Sequence, residues 1–253
     1  MTLRFASLGS GSRGNALLVE SASTLLLVDC GLPRRSIEQR MKVLGRAPGD
    51  VTAILISHEH SDHCQGIGPF LRRYPTPTWL TAGTASAVSG LGPASTLNPH
   101  RALEIGSIKV VPYPVPHDAR EPCQFVFQAD NRRLGVLTDT GHITSHIRER
   151  LAGCDALAVE FNHDLGTLHR SAYPESLKAR VASKYGHLNN DQSVNLLAEI
   201  QHGGLQWVMG LHLSEQNNSQ PQVRDSAGPL LEQHGFDLHL AGQDEPSEWL
   251  DVN

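Results

Sequence analysis

The stretch SHEHSDHCQG, residues 57–66, contains the densest group of metal-binding residue types in the sequence. It directly follows the apolar run VTAILI, which is typical of a buried strand. So many imidazoles and carboxylates at a sheet edge would leave unsatisfied polar groups unless cations held them. The spacing H-x-H-x-D-H therefore predicts a metal site with His58, His60, Asp62 and His63 as ligands.

One cation cannot readily use all four side chains, because the two pairs point in different directions. Further donors follow apolar strands later in the chain: His117 closes VVPYPVPH, Asp139 follows GVLT, and His212 closes QWVMGLH. Taken singly, each of them is equally explained as a core histidine or a turn residue. Together they favour a shared site, since strands of one sheet can present their ends at one edge.

We therefore predict two divalent cations. The first takes His58, His60 and His117; the second takes Asp62, His63 and His212; and Asp139 bridges them. Two cations ~3.5–4 Å apart polarise an ester or phosphoryl oxygen and convert a bridging water to hydroxide near neutral pH. Imidazole and carboxylate ligands without thiolate favour zinc, with manganese as the alternative.

Composition sets wider limits on the class of protein. With 253 residues, of which 39% are hydrophobic, the chain is long enough for a large core. We expect one domain over residues 1–253, because no linker or low-complexity tract divides it. No run is long and apolar enough for a membrane span, and the first residues lack a secretory apolar region, so a cytoplasmic location without membrane association is expected. Four separated cysteines, without a C-x-x-C pair, argue against a cysteine-based metal site.

The net charge of −5 neither excludes nor requires a nucleic acid partner. The acids are concentrated at the C-terminal end, where residues 215–253 contain eight of them against Arg224 as the one base. The preceding 214 residues are close to neutral, with 20 bases and 18 acids. A local patch would have to decide the question.

The pattern of apolar runs predicts an α/β protein with two packed sheets and helices outside. Helical spacing is found at 33–45, 64–73, 83–90, 144–152, 170–184, 190–201 and about 221–234. Strands are predicted at 3–8, 15–21, 23–31, 51–57, 77–82, 107–115, 123–129, 132–141, 155–162 and 205–213. Two of these runs, TLLLVDCG and LGVLTDTG, end alike in Asp-x-Gly, which places a carboxylate at the mouth of each strand.

With these residues in place, the sequence resembles the metallo-β-lactamase-fold hydrolases. Their signature is H-x-H-x-D-H followed by a distant His, Asp and His, and an earlier strand-end Asp that Asp29 matches here. The resemblance implies an αββα four-layer sandwich with the metals at one sheet edge. It also implies that Asp29 supports the metal loop instead of touching a cation.

Within that superfamily the chain looks most like the YycJ/WalJ-type group of exonucleases. The motifs SLGSGSRGNA, VEFNHD, GHLNNDQSV and LHLSEQNN carry this likeness. The group is similar to tRNase Z, in which a glutamate and a histidine form the leaving-group acid. Glu160 and His187 match that pair, so the predicted catalytic residues are Asp62, Glu160 and His187.

Candidate substrate contacts have alternative explanations of equal or greater weight. Glycine in GSGSRGN lets backbone amides face a phosphate, which would bring in Ser10, Ser12 and Asn15, but the same letters suit a tight turn. Asn162 follows a strand and should face the same sheet edge. Basic residues before His187 could track a phosphate backbone or form a solvated helix face; they are Lys178, Arg180 and Lys184. Aromatic residues, at 5%, indicate no base-stacking platform.

These observations predict a dinuclear metal-dependent phosphodiesterase and, more specifically, a DNA or RNA exonuclease, with DNA favoured over RNA. A metal-bridging hydroxide would attack phosphorus, and His187 would protonate the leaving oxygen. Two alternatives stay open: a thioesterase or lactonase acting on small molecules with the same metals, and a non-catalytic metal-binding regulatory protein. A closed structural zinc site needs only four ligands, which disfavours the latter.

Overall fold

Two seven-stranded sheets form the centre of the computed structural model, which describes residues 2–253. The strand order is β14-β1-β2-β3-β4-β5-β6 in the first sheet and β13-β12-β11-β10-β9-β8-β7 in the second. The strands are β1 Leu3–Gly9, β2 Ala16–Ser21, β3 Thr24–Val28, β4 Ala53–Leu55, β5 Thr78–Leu80, β6 Ser95–Thr96, β7 Leu103–Ile105, β8 Ile108–Pro114, β9 Cys123–Ala129, β10 Arg132–Leu137, β11 Ala156–Glu160, β12 Trp207–Leu211, β13 Asp237–Leu240 and β14 Leu250–Val252.

Helices follow the strands along the chain. They are α1 Arg34–Val43, α2 Ser61–Cys64, α3 Ile67–Arg73, α4 Ala82–Ala85, α5 Ser145–Leu151, α6 Leu165–Arg170, α7 Glu175–Val181, α8 Asn190–Ile200 and α9 Gln220–His234, with a short 3-10 helix at Pro48–Asp50. None of the helices within residues 2–253 combines the length and apolarity needed to cross a bilayer.

The two-residue period of the strands divides their side chains between two layers of core. Leu17 and Val19 of β2 pack in the cluster between the sheets, together with Phe125 and Phe127 of β9. Leu18, between them in sequence, packs on the opposite face of the first sheet. Each sheet is therefore covered by apolar contacts on both faces, which explains its nearly continuous apolar runs.

Helices cover the two outer faces. Ile37 and Met41 of α1 pack against the first sheet, and Phe70 of α3 joins them. Leu196 and Leu197 of α8 pack against the second sheet, where α5 and α9 also contribute. The layers run helix, sheet, sheet, helix, so the αββα sandwich predicted from the sequence is confirmed.

Some predicted elements were wrong in extent. The helix predicted over 170–184 is only α7, Glu175–Val181, because Pro174 lacks the backbone N–H that a longer helix would need and stands at the helix N-cap. Helix α6, which ends at Arg170, was not predicted. The helix predicted over 83–90 is only the four-residue α4. Four short strands, β6, β7, β13 and β14, were missed. They are edge strands of two to four residues, too short to show a clear alternation of apolar and polar side chains.

The strands that carry chemistry-bearing residues end at the same side of the sandwich. In the first sheet, β3 and β4 are parallel, and Asp29 and the residue 57–66 loop follow them. In the second sheet, β10, β11 and β12 are parallel, and Asp139, Glu160 and His212 lie at their carboxyl ends. β8 runs antiparallel to β9, as β10 does, so His117 also leaves β8 at this side.

Candidate metal centre

The backbone after β4 separates the four donors of the histidine-rich loop into two pairs. His58 and His60 lie on extended chain, His60 having φ −61° and ψ 145°, whereas Asp62 and His63 lie in the single turn of α2 that begins at Ser61. An extended segment and a helical turn project side chains along different directions. The two pairs therefore enter different groups of donors.

The first cluster consists of His58, His60 and His117, one nitrogen of each lying within 4.8 Å of the others. The Nε2 of His117 is 3.2 Å from the Nδ1 of His60, while its Nδ1 donates to the carbonyl of Gly186 at 3.0 Å. His58 is fully buried, and its Nε2 has no hydrogen-bond partner among residues 2–253. Such an atom is costly to bury unless something binds it.

The second cluster contains two carboxylates and two imidazoles from three different segments: Asp62, His63, Asp139 and His212. The Nε2 of His63 lies 3.1 Å from Asp139 and 3.3 Å from Asp62. The Nε2 of His212 lies 3.3 Å from the same oxygen of Asp62. Two ligand atoms that each lie about 2.0–2.2 Å from one tetrahedral ion are roughly 3.3–3.6 Å apart, so these distances are close to those of a shared ion.

Asp139 lies between the two clusters. Its Oδ2 faces His63 at 3.1 Å and its Oδ1 is 3.9 Å from the Nε2 of His117. The Thr138 hydroxyl donates to Oδ2 at 2.6 Å and fixes the carboxylate. Oδ1 is also 3.4 Å from the Nδ1 of His212, so Asp139 belongs to the second cluster and extends toward the first at His117.

Three residues of the centre adopt the left-handed backbone conformation that L-residues rarely take. The φ angles are 61° at Asp29, 52° at Asp139 and 54° at His212, each close behind a strand. Non-glycine residues in this region cost free energy and recur at functional sites. The strained turns are what direct these three side chains back across the strand ends.

The carboxylates and imidazoles of the second cluster stabilise one another's charged forms. Burial would raise the pKa of Asp139, but His212 and His63 outweigh it and hold that pKa well below its usual range. Burial would lower the pKa values of His63 and His212, but Asp139 and the neighbouring carboxylates outweigh that effect. The pKa of His63 is raised well above its ordinary value, and that of His212 is raised to about 10. The carboxylates thus hold protons on these histidines, and a divalent cation would displace them.

The first cluster is the opposite case. Burial, reinforced by the neighbouring imidazole of His63, lowers the pKa of His58 well below its ordinary value. Burial also lowers the pKa of His117. These rings are neutral at physiological pH, which is the form that binds a metal.

Asp29 supports the centre from behind and belongs to none of the candidate ligand groups. It accepts from the backbone N–H of Ser57 at 2.8 Å, from the Ser57 hydroxyl at 2.9 Å, and from the Nδ1 of His63 at 2.7 Å. The last bond leaves the Nε2 of His63 facing the second cluster. A carboxylate behind a histidine fixes the tautomer and orientation of a ligand.

Glu160 and His187 form a pair beside the second cluster. Glu160 is fully buried and accepts from the Nδ1 of His187 at 2.7 Å and from the Nδ1 of His212 at 3.1 Å. Its other oxygen accepts from the backbone N–H of Leu188 at 3.1 Å. Burial would raise the pKa of Glu160, but the His187 ring lowers it to about 2. Asp139, Glu160, His187 and His212 also form a third group with donor atoms within 4.8 Å of one another.

A cavity of about 390 Å³ opens over both clusters. Of the substrate contacts expected from the sequence, Ser12, Asn162 and Arg180 line it, as His187 does. Lys178 and Lys184 are not among the lining residues; the Lys178 ammonium binds Glu175 and the carbonyl of His169 instead.

Ser10 and Asn15 are buried behind the centre. The Ser10 hydroxyl donates to the Asn15 side chain and accepts from the backbone N–H of His212 at 2.8 Å. The Asn15 amide lies 3.3 Å from Asp62 and 3.2 Å from the Nε2 of His63. Gln243 occupies the glycine-rich loop, accepting from the N–H of Arg13 and donating to the carbonyl of Gly14. These contacts place Ser10 and Asn15 where they hold ligand residues.

Sequence reasoning missed several residues that line the cavity: Ser61, Asp118, Tyr173, Leu177, Val181, Gly186, Ser214 and Asn217. Asp118 directly follows His117, accepts from Arg180 at 2.6 Å and comes within 3.5 Å of the Nε2 of His117. Tyr173, Leu177 and Val181 are spaced four residues apart. This spacing is the sequence signal that could have identified them as one face of a helix.

The donors therefore fit a metal site. The unpartnered Nε2 of His58, the neutral rings of His58 and His117 and the two carboxylates of the second cluster are the features that a divalent cation satisfies.

Comparison with known proteins gives a consistent result. The model for the beta-lactamase superfamily domain matches residues 24–209. The chain is 34% identical to the exodeoxyribonuclease YycJ of Bacillus anthracis over 242 residues, covering 93% of this chain and 92% of that protein. It is 31% identical to the exodeoxyribonuclease WalJ of Streptococcus pneumoniae over 223 residues, covering 85% and 83%. The crystal structure of the metallo-beta-lactamase fold protein YhfI from Bacillus subtilis superposes with a TM-score of 0.74 at 15% identity, covering 97% of this chain and 99% of that one.

Replacing Asp29 with asparagine should weaken metal binding about 10- to 100-fold, because His63 loses the carboxylate that orients its ring. Metal affinity is measured by competition with a chromophoric chelator. Asp225→Asn, at an exposed position of α9, is the matched control and should bind metal as the parent does. Equal affinity in the Asp29 variant and the parent would contradict this role.

Proposed function

Because the chain belongs to the beta-lactamase superfamily and is a metal-dependent hydrolase, we propose that it is a nuclease that cleaves phosphodiester bonds with two bound divalent cations, zinc or manganese. The observation that carries the proposal is the position of Asp139 between two separate donor clusters. His58, His60 and His117 would hold one cation; Asp62, His63 and His212 would hold the other.

The bound cations supply polarisation of phosphoryl oxygens and acidification of a water molecule. The protein's side chains would hold the phosphodiester in the cavity and transfer protons. Asp62, in the second cluster and at the cavity wall, is placed to orient the attacking water as well as to ligate.

His187 is the candidate proton donor to the leaving oxygen. Its Nδ1 is held by Glu160 at 2.7 Å, and its ring lines the cavity. With Nδ1 bound to a carboxylate, the remaining nitrogen of the ring is the one available for proton exchange with substrate. The same glutamate also holds His212, so the donor and a ligand keep a constant separation.

We favour DNA as the substrate. The two relatives described above are named exodeoxyribonucleases, which supports DNA as the substrate. The likeness to tRNase Z suggests RNA instead. Arg180 supplies one positive charge at the cavity wall, where a phosphate next to the cleaved one would pass. Asp118 positions that guanidinium.

The direct test combines metal analysis of the purified protein with cleavage of labelled strands. Single- and double-stranded DNA and RNA, labelled at either end, are compared with a panel of thioesters and lactones. Metal-dependent release of nucleotides, abolished by a chelator and restored by zinc or manganese, is expected. Hydrolysis of the small esters without any cleavage of nucleic acid would contradict the proposal and favour the small-molecule alternative.

Replacing His187 with alanine should lower kcat on DNA about 100- to 10,000-fold and leave the metal content unchanged, since general acid catalysis is lost. The loss should shrink greatly on bis-p-nitrophenyl phosphate, whose leaving group needs no proton. His234→Ala, at an exposed position at the end of α9, is the control. An equal loss on both substrates would refute the proton-donor role and indicate a structural one.

Replacing Arg180 with alanine should weaken DNA binding and reduce the slope of log K against log salt concentration by about 1, because one phosphate contact is lost. Lys178→Ala and Lys184→Ala separate the three basic residues expected from the sequence. Lys178 is the matched comparator on the same helix, since its ammonium, like the Arg180 guanidinium, is bound within the protein, but Lys178 does not line the cavity. A slope changed by Lys178→Ala and not by Arg180→Ala would overturn this assignment.

A further inference from the structure

Helix α7 carries apolar side chains but buries none of its residues. Leu177 and Val181 are one turn apart on this helix, and Tyr173 lies one turn before Leu177, ahead of the helix start. All three are partly exposed and line the cavity over the metal clusters. The apolar face of α7 is thus directed at the cavity and not at either core.

Apolar side chains bind neither cations nor phosphate. Apart from Gly186, the rest of this cavity is lined by histidines, carboxylates, hydroxyls, amides and the Arg180 guanidinium. Apolar lining beside a few placed polar groups is typical of a site that buries part of an organic ligand. The ligand that completes this cavity must therefore have an apolar face as well as a charged group.

A second feature of the same cavity requires a polar edge on that ligand. Asn217 is only 1% exposed, yet its Oδ1 has no hydrogen-bond partner in the part of the chain that the structure describes. Its Nδ2 donates to the Ser214 hydroxyl at 3.2 Å. Whichever way the amide is turned, one of its two polar atoms is left unpaired beside the cavity.

We propose that Tyr173, Leu177, Val181 and Asn217 form a nucleobase subsite, which receives the base of the nucleotide whose phosphate lies at the metal clusters. A base has a flat apolar face for the α7 wall and donors and acceptors along its edge for the Asn217 amide. The proposal rests on the proposed nuclease function and adds the part of the substrate that it recognises. The acyl chain of a thioester would cover the apolar wall and leave Asn217 unpaired.

The subsite is fixed relative to the catalytic pair. The backbone N–H of His187 donates to the carbonyl of Val181 at 2.9 Å, and Arg180 is tied to Asp118 beside His117. A Cβ on Gly186 would lie 2.2 Å from the carbonyl oxygens of Arg180 and Val181, so only glycine permits this close packing. A base held against α7 would therefore hold its phosphate at a constant distance from His187.

The test is an equilibrium binding measurement on the metal-loaded protein with thymidine 5′-monophosphate and with 2-deoxyribose 5-phosphate, which lacks the base. The parent should bind the nucleotide at least about tenfold more tightly, as expected for one stacked base. In Tyr173→Ala/Leu177→Ala the preference should fall to nearly one, with the affinity for deoxyribose 5-phosphate unchanged. Because α7 buries no residue, this variant keeps its cores intact.

Two further variants complete the design. Leu165→Ala, at an exposed apolar position of α6 outside the cavity, is the matched control and should keep the full preference. Asn217→Leu, with its fold checked by thermal melting, should also lose part of the preference. Equal affinities of the parent for the two ligands, no binding of either, or an equal loss for both in the double variant would each overturn the subsite.

The strand-cleavage assay separates this inference from the proposed function. Retained preference for the nucleotide in a protein that cleaves no nucleic acid would refute the nuclease and support the base subsite. Cleavage that is indifferent to a terminal abasic residue, with no preference for the nucleotide in binding, would refute the subsite and leave the nuclease standing.

Discussion

Compensation of buried negative charge is the constraint on which this structure depends. Asp29, Asp62, Asp139 and Glu160 converge with five or more imidazoles at one side of the sandwich, mostly out of contact with water. Carboxylates in such surroundings are tolerated only beside positive charge. Protonated His63 and His212 supply some of it, and a bound metal would supply the rest. Metal binding would thus serve both the chemistry of the centre and the stability of the sheet edge.

The scaffold meets this constraint by collecting strand ends. Parallel pairing of β3 with β4, and of β10 with β11 and β12, brings five loops to one side. Left-handed turns at Asp29, Asp139 and His212 then direct the side chains inward. Three apolar clusters, one between the sheets and one on the outer face of each, hold the strands and offset the strain of those turns. Positioning residues such as Ser10, Asn15 and Glu160 convert loop ends into a rigid centre.

Most of the fold could be predicted, and the family resemblance is confirmed by the match over residues 24–209 and by the identity to YycJ and WalJ. Strands with continuous apolar runs, such as β2 and β3, were recognisable because both of their faces are buried. The helix predicted over 170–184 was too long, since only Glu175–Val181 is helical and Pro174 marks its start. The low aromatic content of the sequence gave no indication that Tyr173 lines the cavity. Its contribution depends on its position, which composition does not show.

The sequence alone determined which residue types stand at strand ends and, through H-x-H-x-D-H, that a metal site follows β4. That information is local: each donor adjoins its strand along the chain. Only the tertiary structure decided that Asp139 lies between two clusters, that Asn15 faces inward and that α7 turns its apolar face to the cavity. These facts depend on contacts between segments far apart in sequence, such as the contact between Asp62 and His212, which are separated by 150 positions. Strand order and sheet packing set such contacts, and local periodicity does not encode them.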